Sequence, residues 1–293
     1  MMMQKRIRKI LTISLILSMI LPAILVSYAS AAAEAPKYSV GDKWEYRIEY
    51  LDSGISGTIT REIVGESVVP IDAEQYQCFK INIRQFVQYD TSNFSMDMNV
   101  YLLKSGLSEG TNLTVVKEDY QLERNGVIRQ ISNITYGSPD FLKELDFTLT
   151  VGKNWNVSTM KTETDEFPYL PPPYSGPFTE TVPFSRNFSV VRTERVSVPK
   201  GTFDTYVIRY ETPDGIYEEY YSPTVGGYVR ESVYDKSWNE EIRIELLDYK
   251  YARAPTGVLL DWWVWLAIGV VAVVAIVSVI FFVRRGKVTP APT

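Results

Sequence analysis

Three stretches of the chain alternate apolar and charged residues with a period of two. Trp44, Tyr46, Ile48 and Tyr50 interleave with Glu45, Arg47 and Glu49; Phe79, Ile81 and Ile83 with Lys80, Asn82 and Arg84; Ile242, Ile244 and Leu246 with Arg243 and Glu245. A strand turns successive side chains to opposite faces, so this pattern predicts half-buried antiparallel strands. Turn chemistry falls between such runs: Asp52-Ser53-Gly54, Asn125-Gly126, Pro213-Asp214-Gly215 and Gly226-Gly227. Asn-Gly supplies the positive φ values that a tight hairpin needs. Many strands with short turns predict a mainly β fold, built as an antiparallel curved sheet, half-barrel or sandwich. Only Asp140 to Asp146 hints at a short helix. Pro171-Pro172-Pro173, within 168–177, excludes central-strand pairing and reads as an exposed, stiff connector between two parts of the fold.

Val40-Gly41-Asp42-Lys43-Trp44 is echoed by Val151-Gly152-Lys153-Asn154-Trp155. The echo suggests two related β-meanders, 36–137 and 141–251, forming halves of one sheet or two lobes.

Two apolar runs break the alternation. Ile10 to Val26 follows Lys5, Arg6, Arg8 and Lys9 and precedes Ala29-Ser30-Ala31 and Ala31-Ala32-Ala33. A charged head, an apolar middle and a small-residue exit make a secretory signal, assigned to 1–31. Near the other end, 258–283 reads as a transmembrane helix, charge-free from Trp262 to Val283. At about 1.5 Å rise per residue that stretch spans a hydrocarbon core of about 30 Å. Trp262, Trp263 and Trp265 suit the membrane interface at its entrance, and Arg284, Arg285 and Lys287 close it on the cytoplasmic side. Residues 32–257 are then an extracytoplasmic β-rich domain and 284–293 a cytoplasmic tail. The predicted location is the cell membrane, single-pass, with the N-terminal domain outside.

Charge supports that division. Setting aside the seven cations of the two ends, 23 Lys and Arg face all 35 acids, a formal charge of −12 between them. Such a surface repels phosphate backbones, so nucleic acid is not an expected partner. Five of the ten asparagines lie in Asn-x-Ser/Thr sequons: Asn93, Asn112, Asn133, Asn156 and Asn187. All five fall in the outer segment, as glycan acceptors must, with Asn93 in an exposed turn.

The chain has one cysteine and no histidine. No intrachain disulfide forms, so stability rests on burial, and Cys78 reads as a small buried hydrophobe. Without histidine, Ser-His-Asp triads, Cys-His dyads and imidazole zinc sites are excluded. No metal, cofactor or dinucleotide motif is present, so no cofactor is expected.

A more specific pattern runs from Val196-Ser197-Val198-Pro199-Lys200-Gly201-Thr202-Phe203 to Tyr221-Ser222-Pro223-Thr224-Val225-Gly226. It resembles a family of uncharacterised extracytoplasmic β domains of archaea and bacteria with a Val-Pro-Ala-Gly-Thr-Phe turn and a Tyr-Ser-Pro-x-Val-Gly hairpin. Lys200 stands where that family has Ala. The resemblance covers about 60 residues and implies a shape similar to the half-barrels of periplasmic lipoprotein carriers, which cradle acyl chains. It carries over no catalytic residue. Pro199 and Gly201, and Pro223 with Gly226 and Gly227, read as turn formers.

These features point first to a membrane-anchored cell-surface binding module, non-enzymatic, for an apolar or lipidic ligand on a concave sheet. The alternative is a structural or adhesive envelope protein whose partner is another envelope protein. A carboxylate hydrolase comes third. Glu218 with Glu219, or Asp42 with Glu45, would be its acids, but strand neighbours such as Glu218 and Glu219 point to opposite faces.

Overall fold

A computed structural model describes residues 33–138 and 140–251. The signal 1–31, the membrane segment 258–283 with Trp262, Trp263, Trp265, Arg284 and Arg285, and the tail 284–293 lie outside the described residues. Among the described residues no helix is long and apolar enough to cross a membrane.

The chain forms β1 (Lys43–Tyr50), β2 (Ile55–Ile71), β3 (Glu74–Tyr89), β4 (Ser92–Leu103), the single-turn helix α1 (Lys104–Ser108), β5 (Asn112–Arg124), β6 (Val127–Tyr136), β7 (Leu142–Asp146), β8 (Asn154–Glu166), β9 (Phe178–Val198), β10 (Gly201–Glu211), β11 (Ile216–Ser222), β12 (Gly227–Tyr234) and β13 (Glu240–Lys250). Neighbouring strands pair antiparallel in the order β4-β3-β2-β1-β13-β12-β11-β10-β9-β8-β6-β5, and β4 pairs with β5. The last pairing closes a ring of twelve strands, and β7 adds to β5 from inside the β6–β8 connection. The half-barrel and the sandwich are therefore corrected to a closed barrel. Closure removes the open edges that a half-barrel would leave.

Two local expectations also change. The segment around Asp140–Asp146 is not helical: Leu142–Asp146 is a strand, held by Leu113 opposite Leu145 and Val115 opposite Leu142. Its apolar residues Leu142 and Leu145 are buried, and inward packing overrides the weak helical spacing. The Pro-rich stretch connects the adjacent strands β8 and β9, not two parts of the fold, and closes on itself through Phe167 N to Ser175 O at 2.7 Å and Tyr174 N to Pro171 O at 2.9 Å.

β1 and β8 begin with the same turn. Gly41 and Gly152 have φ of 91° and 88°. Gly41 donates to Ile63 O of β2, and Ile63 returns a bond to Asp42 O. Gly152 donates to Val190 O of β9, and Val190 returns one to Lys153 O. Each Gly-x-x-Trp start thus locks the first strand of a six-stranded meander onto its neighbour. The meanders β1–β6 and β8–β13 meet at β1–β13 and β6–β8, and the described residues form one compact unit.

Alternation decides what faces the lumen. Trp44, Tyr46 and Ile48 are buried in β1, and their partners across β13 and β2 include Tyr249, Leu246 and Ile59. On the outer face, charges pair across strands, as in Arg47–Glu245 at 3.0 Å, and along one strand, as in Lys43–Glu45 at 2.7 Å. Cys78 is a free thiol with no exposed surface, and burial pushes its pKa up to about 11. It is inert packing at neutral pH.

Twelve strands enclose more space than wall side chains alone fill, since eight already suffice for a packed interior. Large rings take up part of it: Trp155 stacks on Phe188 at 5.2 Å and Tyr210 on Tyr217 at 4.8 Å. The segment after β6 fills more. It buries Phe141, Leu142, Leu145, Phe147 and Leu149, and Phe147 reaches Tyr221 of β11, its ring 5.5 Å away. β11 lies nearly opposite β5 in the ring, so this segment acts as a plug.

Candidate functional site

Between plug and wall remains a cavity of about 210 Å³. One side is aromatic: Tyr38 just before β1, Trp44 and Tyr46 within it, and Tyr221 and Tyr228 from the β11–β12 hairpin. That hairpin is pinned in place. Trp44 Nε1 donates to Val225 O at 2.9 Å, and Tyr38 Oη to Gly226 O at 3.0 Å. Gly226, at φ +66°, lies against the Tyr251 ring, where a Cβ would come within 2.5 Å. The Tyr-Ser-Pro-x-Val-Gly segment is thus both a turn former and a wall of the cavity. The Val-Pro-Lys-Gly-Thr-Phe turn lies elsewhere: Lys200 N bonds Leu246 O at 3.1 Å and Phe203 packs on Tyr249 at 6.1 Å, docking the β9–β10 tip onto β13.

The other side is acidic. Glu118 of β5, Glu144 of β7, Glu219 of β11 and Glu231 of β12 line the cavity together with Arg61 of β2. Arg61 and Glu231 form a two-pronged pair, Nη1 to Oε1 at 2.7 Å and Nη2 to Oε2 at 3.1 Å, and the guanidinium lies 4.9 Å from the Tyr46 ring centroid. Burial opposes the charge on Arg61, but Glu231 and Tyr46 outweigh it and hold the proton more firmly than usual. Glu219 accepts from Tyr210 Oη at 3.1 Å. Burial, then the nearby Glu231, push it up to about 7, against the pull of Tyr228, Tyr210 and Arg61. Burial and the charges of Glu219 and Glu118 push Glu144 up to about 8. Glu118 is raised by burial, although Tyr136 Oη donates to it at 3.2 Å.

Besides Arg61 Nε, two groups among these lining residues are unanswered. Glu144 has neither a hydrogen-bond nor an ion-pair partner among the described residues, and its raised pKa reflects only burial and charges at a distance. Tyr221 is 1% exposed, and its hydroxyl has no hydrogen-bond partner among the described residues. A buried orphan polar group costs about 1–3 kcal/mol.

The acids nominated for hydrolysis do not converge. Glu218 faces outward, held by Arg192 (2.9 and 3.0 Å), Arg209 (2.6 and 3.1 Å) and Tyr220 (3.0 Å), while Glu219 faces the lumen. Asp42 accepts from Ser39 N at 2.8 Å inside the β1 turn, and Glu45 is on the outer face with Lys43. Among the described residues no group of three or more Cys, Asp or Glu could hold a metal ion.

Of the sequons, Asn93, Asn133, Asn156 and Asn187 are exposed. Asn93 lies in β4 beside the β5–β6 turn, its N–H bonded to Asn125 Oδ1 at 2.7 Å. Asn112 is half-buried: its Oδ1 accepts from Thr114 Oγ1 at 2.7 Å, and Thr114, the hydroxyl residue of that sequon, is itself buried. Asn156 and Asn187 are cross-strand partners, with Asn156 Nδ2 donating to Asn187 Oδ1 at 2.5 Å.

Sequence reasoning did not assemble the acidic wall. A signal was available: Arg61 lies in phase with Ile59 and Ile63, and Glu219 with Tyr217 and Tyr221. A charge on the apolar phase of a strand must either pair inside or face a cavity.

No family model matches the chain, and no curated protein matches it. Among solved structures, similarity extends to a protein assigned provisionally as a lipoprotein from Parabacteroides distasonis, 15% identical, over 75% of this chain and 100% of that one, with a TM-score of 0.30. It extends likewise to an exported protein of YmcC-like fold from Bacteroides fragilis, 13% identical, with the same coverage and a TM-score of 0.29. Overlaps this loose carry no argument about function.

Proposed function

We propose that this chain is an extracytoplasmic binding module, tethered to the cell membrane by the helix at 258–283, that holds a small molecule in the lumen of its barrel. The observation that carries the proposal is the 210 Å³ cavity, lined on one side by aromatic rings and on the other by carboxylates. Binding sites combine an apolar body with a few oriented polar groups, and this lining has both. The occupant is compact. Ring closure removes the open trough that an acyl chain needs, and the cavity is below the roughly 300–1,000 Å³ of drug-sized sites. The module is proposed to bind rather than catalyse, since the acids nominated for hydrolysis are held apart on the two faces of the wall.

Two measurements test this reading. Protease added to intact cells, stripped of any wall or coat, should remove the barrel while leaving a cytosolic marker whole; protection of the barrel would overturn the topology. Native mass spectrometry of the purified chain should show a low-mass occupant that is lost on unfolding. Consistent recovery of the bare polypeptide mass, with no small molecule able to raise its melting temperature, would overturn the binding role.

A structural or adhesive role is favoured by one feature. Residues 178–187 of β9 pair with β8 alone, and Tyr169, Tyr174 and Phe178 are exposed around that ribbon's tip. A free strand edge can take a strand from another envelope protein. Crosslinking from position 178 on intact cells should then capture such a protein, and recovery of monomer alone would exclude it.

A further inference from the structure

We infer that the signal is cut from this chain at the peptide bond between Ala31 and Ala32, and that the residues this cut preserves, from Ala33 onwards, form a clasp tying the plug to the barrel wall. The clasp concerns maturation and does not depend on what the lumen holds.

Two exits in the sequence suit a signal peptidase. Ala29-Ser30-Ala31 is cut before Ala32, and Ala31-Ala32-Ala33 is cut before Glu34. The assignment 1–31 uses the first. The fold separates the two, because the second cut discards Ala33, a residue the barrel uses.

Ala33 is 2% exposed and pairs antiparallel with Leu149, which has no exposed surface. Ala33 N donates to Leu149 O at 3.4 Å, and Leu149 N donates to Ala33 O at 3.2 Å. Leu149 belongs to the plug, whose own strand β7 pairs with β5. The Ala33 rung gives that segment a second backbone anchor.

Beyond Ala33 the chain stays on the barrel. Ala35 and Pro36 are buried. Lys37 N donates to Tyr251 Oη at 3.1 Å, and Tyr38 Oη to Gly226 O at 3.0 Å. The Tyr38 ring stands edge-on to Trp44 at 5.6 Å. Residues 33–42 thus run from the plug to the β11–β12 hairpin and the end of β13, and so hold together two sides of the cavity.

A cut after Ala33 strips Leu149 of the partners of its N–H and its C=O inside the plug, and buried backbone groups without partners are destabilising. A cut after Ala31 keeps both bonds. The reaction is amide hydrolysis. Water adds across the bond, the released leader ends in the Ala31 carboxylate, and Ala32 carries the new ammonium. The agent is a signal peptidase of the exporting membrane, which accepts small side chains at the first and third positions before the cut.

The cut is tested on the full chain, expressed with its own leader in an exporting host, purified from membranes and read by N-terminal sequencing and intact mass. The expected first residue is Ala32. A first residue of Glu34, or an intact Met1, overturns the assigned cut; Met1 on a barrel that external protease still removes does so while leaving the outward topology standing. Ala29→Lys spoils only the first exit, so it should retain the leader or shift the start to Glu34; an unchanged start would also overturn the assignment. The clasp is tested by hydrogen exchange in a neutral detergent on two chains running to Thr293, one from Ala32 and one from Glu34. The Leu149 amide should exchange at least about tenfold faster in the chain from Glu34, and equal rates would overturn the clasp. Should the shorter chain not fold, Ala33→Pro in the longer one decides: it removes only the Ala33 N–H and should speed Leu149 exchange by a smaller factor, and no change would overturn the clasp.

Discussion

Replacing Glu218 by glutamine removes one charge from the outer wall of the barrel and changes no shape. The carboxylate is 3% exposed and accepts bonds from Arg192, Arg209 and Tyr220. Burial alone would raise its pKa, but the hydrogen bonds and charge of those partners win and hold it at about 2, against 4.5 for a free glutamate. At about 1.4 kcal/mol per pH unit, that difference corresponds to about 3 kcal/mol. The side chains of Arg192 and Arg209 remain 38% and 31% exposed, and water screens part of the loss, which leaves about 2 kcal/mol. Residues 33–251 contain every barrel strand and both hydrophobic clusters, so they are suited to urea denaturation on their own. With a slope of about 2–3 kcal/mol per M, Glu218→Gln should lower the midpoint by about 1 M at pH 7. The sign with pH is fixed as well. A depressed folded pKa gives stability that is complete above pH 4.5 and lost as the pH falls towards 2. The gap between variant and parent should therefore close near pH 2. Equal midpoints at pH 7, or a gap that persists unchanged at pH 2, would refute the assignment of Glu218 as an ion-paired strut between β9, β10 and β11.

Three further outcomes are expected. Tyr221→Phe removes a buried hydroxyl with no hydrogen-bond partner among the described residues, and should raise the stability of the unliganded barrel by about 1 kcal/mol in calorimetry; a loss of that size would mean the hydroxyl has a partner. Gly226→Ala must fit a Cβ 2.5 Å from the Tyr251 ring at φ +66° and should cost about 1–3 kcal/mol in thermal melting followed by circular dichroism, so an unchanged melt would contradict the pinned hairpin. Glu144 and Glu219, raised to about 8 and about 7, hold protons in the folded state that the unfolded chain releases above about pH 4.5. Stability should fall as pH rises from about 4.5 to 8, and the Glu144→Gln, Glu219→Gln double variant should flatten that slope in a pH series of urea midpoints. A parent whose stability climbs through this window would show that the two acids are not held neutral.

Strand phase was legible because it is local. Each Cβ follows the backbone of its own residue, so the alternations at 44–50, 79–83 and 242–246 already separate inward from outward faces. The Asn125-Gly126 turn was legible for the same reason: both residues adopt the positive φ, 53° and 74°, that their side chains tolerate. The recurrence of Gly-x-x-Trp marked the two strand starts because each needs one left-handed residue before an inward indole. Ring closure was not legible. It joins Trp44 to Tyr249 and Leu102 to Val115, pairings set by twist and register accumulated over twelve strands, which no short window contains. The acidic wall followed from closure. Glu118, Glu144, Glu219 and Glu231 come from four strands, and each alone reads as one more surface charge among 35 acids. Only the curvature of the sheet, and a plug strand whose helical hint misled, turns them towards one another.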